Sequence, residues 1–192
     1  MNMGKYFMKI AVLDIETTSF KPDEGSLIEI GICQLDLETG KIMPLFDNLI
    51  QEHDFDPSLE AWIYKNSDIT PELILSEGVP AEEVVEDLQQ IFDKFYITAY
   101  NHRFDFTWLE HRGFQIKKVA PDPMQIASQF FRKMIKKENG STSTYYVKTL
   151  NVQECLEFFQ IDETEIHRAY SDCVHEAKII YELYKKKLYE IL

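Results

Sequence analysis

The sequence predicts an α/β domain in which helices cover a mixed central sheet. Residues 6 to 51 hold three apolar stretches separated by short turn signals, which favours an antiparallel opening. The rest of the chain is mostly amphipathic helix with one further short strand. An unbroken apolar run, Ile10-Ala11-Val12-Leu13, has the pattern of a strand buried on both faces.

In chain order, Tyr6 to Ile15 reads as the first strand, and Lys21-Pro22-Asp23-Glu24-Gly25 as a turn. Ser26 to Leu37 is the second strand, and Glu38-Thr39-Gly40 signals a hairpin into a third, Lys41 to Gln51. Pro57 to Lys65 is a short helix with proline at an early position. Pro80 to Phe95 is amphipathic, with Val84, Val85, Leu88, Ile91, Phe92 and Phe95 on one side. Tyr96 to Tyr100 is a short strand, and Phe104 to His111 a helix ended by Gly113. Asp122 to Lys137 is a helix capped by Asp122, with Pro123 in its first turn. Glu138 to Thr144 is a polar loop, the most flexible stretch by composition. Lys148 to Phe159 and Ser171 to the C-terminus are the last helices. There is no repeat or linker, so a single domain over 1–192 is expected.

The net charge of −13 argues against broad binding to a phosphate backbone, which needs clustered Lys and Arg. The cysteines Cys33, Cys155 and Cys173 are scattered without CxxC spacing, so neither a zinc site nor a disulfide framework is expected. No apolar run approaches the ~20 residues of a membrane span, and a cytoplasmic protein without membrane contact is expected.

Three segments carry chemistry. Asp14 and Glu16 are two apart on a strand, so their carboxylates share a face and could hold a hard divalent cation. The spacing alone says little in a chain with 33 acidic residues. The apolar strand before the pair places it close to the core, although a strand end that has reached solvent reads the same way. Asn101-His102-Arg103-Phe104-Asp105 lies where a strand gives way to a helix, and Asn101 or Asp105 can equally be a helix cap. His167-Arg168-Ala169-Tyr170-Ser171-Asp172 puts a potential general base just before the acid that opens the last helix; a surface histidine and a helix-start aspartate give the same pattern. His53, His111 and His175 have no comparable carboxylate context and read as structural or exposed.

Taken in order, D-x-E on a first strand, N-x-x-F-D at a strand–helix junction and H-x-x-x-x-D opening the last helix resemble the DnaQ-like, or DEDD, family of 3′–5′ exonucleases, in the DEDDh branch with histidine before the last Asp. The resemblance spans about Tyr6 to Leu188 and includes Thr17-Thr18, Leu27-Ile28-Glu29-Ile30-Gly31 and Lys148-Thr149-Leu150. It implies a ribonuclease H-like fold. It also implies that Asp14, Glu16, Asp105 and Asp172 hold two divalent metal ions, Mg²⁺ or Mn²⁺. His167 would take the proton from the attacking water, Thr17 and Phe20 would line the terminal nucleotide, and Asn101 would help order the site. Two divalent cations would bring four carboxylates to formal neutrality and let the site accept phosphate. Ser19 stands where the family usually has Gly, so the loop at the terminal base is expected to differ in shape; His102 and Arg103 replace small residues, and Arg103 reads equally as a phosphate contact or as a partner of the acidic surface.

The expected substrate is the single-stranded 3′ end of DNA or RNA, recognised at the end rather than along its length and digested distributively. The run Asp14-Ile15-Glu16-Thr17-Thr18-Ser19 looks like the proofreading branch and tilts the expectation toward DNA. A DNA polymerase is a possible partner, but the chain stops at Leu192 without a long tethering tail, so a free-standing enzyme is expected. RNA trimming or oligoribonuclease activity, a non-catalytic module that binds nucleic acid ends, and an endonuclease on a related fold are the alternatives. Arg132, Lys133, Lys136 and Lys137 form a basic cluster that reads either as a guide for the substrate backbone or as a solvated helix face.

Overall fold

The continuous apolar run of the first strand becomes the middle of the molecule. The computed structural model describes residues 9–139 and 142–191. In it β1 (Lys9–Thr17) pairs antiparallel with β2 (Leu27–Asp36), which pairs antiparallel with β3 (Ile42–Gln51), as the short turns predict. The expected start of the first strand at Tyr6 lies outside the described residues. A two-residue strand, β4 (Val79–Pro80), runs parallel to β3, and β5 (Tyr96–Thr98) runs parallel to β1. The result is a mixed sheet in the order β4-β3-β2-β1-β5.

The helices are α1 (Ile63–Asn66), α2 (Pro71–Glu77), α3 (Ala81–Lys94), α4 (His102–His111), α5 (Pro123–Phe131), α6 (Val152–Phe159) and α7 (Ala169–Lys185). Alternation along β1 divides the core. Ile10 and Val12 pack with residues of α5, α6 and α7, while Ala11, Leu13 and Ile15 pack with residues of α3 and α4. Ile10, Val12 and Leu13 are fully buried, each contributing roughly 1.5–3 kcal/mol, so the strand that leads to Asp14 is firmly anchored. No helix among the described residues is long and apolar enough to cross a membrane.

Three expectations need correction. The stretch Pro57–Lys65 is mostly turn and only α1 is helical, because Asp56 Oδ1 accepts both the amide (2.9 Å) and the hydroxyl (2.6 Å) of Ser58 and holds a local turn. Helix α2, which follows the Ile69-Thr70 pair, starts at a Thr70 cap with Pro71 in its first turn. Helix α5 does not reach Lys137. Arg132 takes a left-handed backbone (φ 43°) and closes the helix on the Ser128 carbonyl.

Beyond it, β6 (Met134–Asn139) and β7 (Thr142–Val147) form an antiparallel hairpin where a polar loop is expected. The β-branched and aromatic residues of Thr142-Ser143-Thr144-Tyr145-Tyr146-Val147 suit a strand. Gly140 and Ser141 of the expected loop lie outside the described residues. The basic cluster therefore sits at a helix cap and on a hairpin rather than on a helix face.

Candidate metal-dependent active site

Asp14 and Glu16 continue the face of Ile10 and Val12, at the point where β1 leaves the core. In the β1–β2 register Asp14 lies opposite Gly31 and Glu16 opposite Glu29. A Cβ at Gly31 would fall 2.2 Å from the Ala169 carbonyl carbon and the Tyr170 nitrogen, so the absence of a side chain lets the start of α7 rest directly on β2. Asp172 is in the first turn of that helix.

Buried Glu29 fixes the same junction. Its carboxylate accepts the Ala169 amide (2.8 Å) and, from Arg168, Nε (2.9 Å) and Nη2 (2.6 Å). Arg168 Nη1 donates to Asp68 (3.0 Å). His167, one residue earlier, has a left-handed backbone (φ 54°), and its half-buried ring meets the edge of Trp62, with centroids 4.8 Å apart.

The third contribution comes from α4. Asp105 is 2% exposed, and its Oδ1 has no hydrogen-bond partner. Asn101 (φ 66°) precedes the helix but makes no side-chain cap; its amide donates to Asp122 Oδ1 (3.3 Å), which also caps α5 through the Met124 amide (2.8 Å). Capping by Asn101, one reading open in the sequence, is therefore not what its side chain does.

Among the described residues, ligand atoms of Glu16, His167 and Asp172 lie within 4.8 Å of one another. Asp14 and Asp105 share this acidic field. Burial first, then Glu176, Glu16, Asp105 and Asp172, raises the Asp14 carboxyl well above its ordinary value. Burial, with Asp172 and Glu29 as the largest negative contributors, pushes Glu16 up to about 8. Burial does the same to Asp105, also up to about 8, against the pull of the Asp105 and Ile15 amides. Hard oxygen donors, one buried carboxylate oxygen without a partner, and a half-exposed histidine at the edge suit divalent cations.

The five residues expected to carry chemistry, Asp14, Glu16, Asp105, Asp172 and His167, thus gather at one end of β1. Thr17 is adjacent, with its hydroxyl donating to the Ser19 carbonyl (2.7 Å). Phe20 does not join the cluster. It stands 83% exposed on the β1–β2 loop. Asn101 is exposed at the start of α4.

Several residues escaped the sequence reading. Glu176 is buried one turn after Asp172, on the same side of α7, and accepts the Tyr100 amide (3.0 Å). His175 is not without carboxylate context. Its Nδ1 lies 3.2 Å from Asp172 Oδ1 and its Nε2 3.3 Å from Glu163 Oε2, so it bridges a site acid to an outer one. The i+3 and i+4 spacings from Asp172 were the available signal. Arg112 had none. Its guanidinium holds both Glu52 oxygens (2.8 and 3.0 Å) and the carbonyls of Pro22 (2.8 Å) and Gly25 (2.9 Å), over the Trp108 ring at 4.6 Å. It ties down the loop that carries Phe20, beside a cavity of about 610 Å³.

Known proteins resemble this chain in sequence and in fold. The exonuclease family model RNase_T matches residues 11–180. The chain is 30% identical over 112 residues to the 3′–5′ exonuclease DinG of Bacillus subtilis (strain 168); the match takes in 56% of this chain and 12% of that much longer relative. Among solved structures, the nuclease domain of 3′hExo, a DEDDh family member bound to rAMP, superposes with a TM-score of 0.68 at 16% identity over 98% of both chains. The cell-death related nuclease CRN-4 gives 0.69 at 19% identity, covering 94% of this chain and 65% of that one. E. coli exonuclease I in complex with a dA16 oligonucleotide gives 0.68 at 14% identity, covering 94% of this chain and 42% of that one. The architecture is the ribonuclease H-like fold of these nucleases. The chain belongs to the RNase T exonuclease family, the DnaQ-like DEDD group, and carries the histidine of the DEDDh branch.

Proposed function

We propose that the chain is a metal-dependent 3′–5′ exonuclease that hydrolyses phosphodiester bonds from the 3′ end of a nucleic acid strand, acting as one domain over residues 1–192. The convergence of Glu16, His167 and Asp172 within 4.8 Å, beside an Asp105 oxygen without a partner, carries this reading. Asp14, Glu16, Asp105 and Asp172 would hold two divalent cations, Mg²⁺ or Mn²⁺, which supply charge neutralisation and polarise the attacking water and the leaving oxygen.

The chain's own residues do the rest. His167, half-exposed and held by Trp62, takes the proton of the attacking water. Glu29 and Arg168 hold its backbone in place. Thr17 and Phe20 border the terminal nucleotide, with Phe20 offering an apolar face to its base. Asn101 helps to order the site. The substrate is a single-stranded 3′ end. The sequence of the first motif favours DNA, with RNA as the alternative sugar.

The test is digestion of matched 5′-labelled DNA and RNA strands with Mg²⁺ or Mn²⁺. The expected result is a ladder shortening from the 3′ end, faster on DNA and abolished by EDTA or by Asp14→Ala. No cleavage of either strand by metal-loaded protein would overturn the reading.

A further inference from the structure

The β6–β7 hairpin has features that neither the core nor the carboxylate site explains. It is a two-stranded sheet separate from the five-stranded one. Residues 132 to 148 hold five of the chain's 20 Lys and Arg and one acidic residue, in a chain of net charge −13. Met134, Tyr145, Tyr146 and Val147 on it are exposed, Tyr145 by 65%.

The register sorts these side chains. Met134 faces Val147 across the strands, and Lys136 faces Tyr145. Alternation places all four on one face, with Ile135, Lys137, Thr144 and Tyr146 on the other. Met134 and Val147 also line a groove of about 500 Å³ that runs along α5 past Arg132 and Gln129 to Met124 and Gln125. Those last two lie in the first turn of α5, beside Asp122, which accepts the Asn101 amide and lies 4.0 Å from His102 Nε2. One end of the groove therefore lies beside Asp122, which contacts the start of α4, and the other meets the hairpin face that carries Lys136 and Tyr145, along a nine-residue helix about 13 Å long.

We propose that this groove and the Lys136–Tyr145 face bind the single-stranded part of the substrate a few nucleotides 5′ of the terminal one. This rests on the exonuclease reading. Bases stack on Tyr145, which every base can do, while Lys136 and Arg132 meet phosphates. The arrangement supplies positive charge where the strand leaves an otherwise acidic protein.

The test compares two double variants that differ only in face. Tyr145→Ala/Lys136→Gln alters the groove face, and Tyr146→Ala/Lys137→Gln the opposite one. In an Asp14→Ala background, which removes turnover from the readout, fluorescence anisotropy measures binding of a 5′-labelled single-stranded 12-mer. The groove-face pair is expected to weaken binding roughly tenfold and to lower the salt slope by about one; the opposite-face pair stays within about twofold. In the otherwise wild-type enzyme, neither pair changes hydrolysis of a dinucleotide, which is too short to reach the hairpin.

Equal effects of the two pairs, no effect of either, or no 12-mer binding by the parent protein would overturn the inference. If the variants leave 12-mer binding intact while the parent enzyme digests strands, the inference fails and the exonuclease reading stands. If binding depends on the groove face but no metal supports digestion, the exonuclease reading fails instead.

Discussion

One ligand atom each of His167, Glu16 and Asp172 lies within 4.8 Å of the others, a spacing that suits a metal ligand or a base. The position of His167 at the half-exposed edge, turned by a left-handed backbone against Trp62, favours the base. His167→Ala is then expected to lower kcat by roughly 10²–10⁴ while Mn²⁺ binding, read by calorimetry, stays near its original affinity. A parallel collapse of metal binding would make it a ligand.

The carboxylates give a second residue-scale prediction, for the metal-free protein. Burial pushes Glu16 and Asp105 in the folded protein up to about 8, from ordinary values of 4.5 and 3.8. Between those values the folded state binds more protons than the unfolded state, so stability falls as pH rises. In EDTA the melting temperature should drop from pH 6 to pH 8.5, and Asp105→Asn should flatten the drop. Divalent metal should restore more at pH 8.5 than at pH 6. A melting temperature that is level or rising over that window would contradict the assignment.

At the scale of elements, the site depends on how α7 meets the sheet. Gly31→Val would drive a side chain into the Ala169–Tyr170 backbone, and should cost more than the ~1–3 kcal/mol of ordinary overpacking in a urea melt. Arg168→Ala leaves buried Glu29 without its cation; a loss of about 3 kcal/mol is expected, with reduced kcat because His167 is adjacent. Arg112→Ala frees the β1–β2 loop from the Pro22 and Gly25 carbonyls, so KM should rise several-fold with little change in kcat.

The elements also show what was legible. β1 could be read because a doubly buried strand leaves an unbroken apolar run, which Asp14 and Glu16 close, and β2 and β3 because short turn signals separate them. Asp105 and Asp172 open helices, where any acid reads as a cap, so they stood out only through the resemblance that the three segments carry together. The β6–β7 hairpin could not be read. Its helix stop is an arginine in a left-handed conformation rather than a glycine, and its strands carry polar residues that read as loop. Glu29, Arg168 and Arg112 were hidden for another reason: their partners lie far away in the chain, and a single sequence records no such pairing.

For the whole molecule, acidity and function are compatible because charge is unevenly placed. The acids gather at the end of β1, where divalent cations fit, and a quarter of the cationic side chains lie in one short segment beyond α5. The fold brings that end of β1, the start of α4 and the start of α7 together. A single-stranded linear oligonucleotide and its covalently closed circle, of identical sequence and incubated with Mn²⁺, test the claim most directly. The linear strand is expected to shorten from its 3′ end while the circle survives intact. A nicked circle, or a linear strand shortened from its 5′ end, would contradict it.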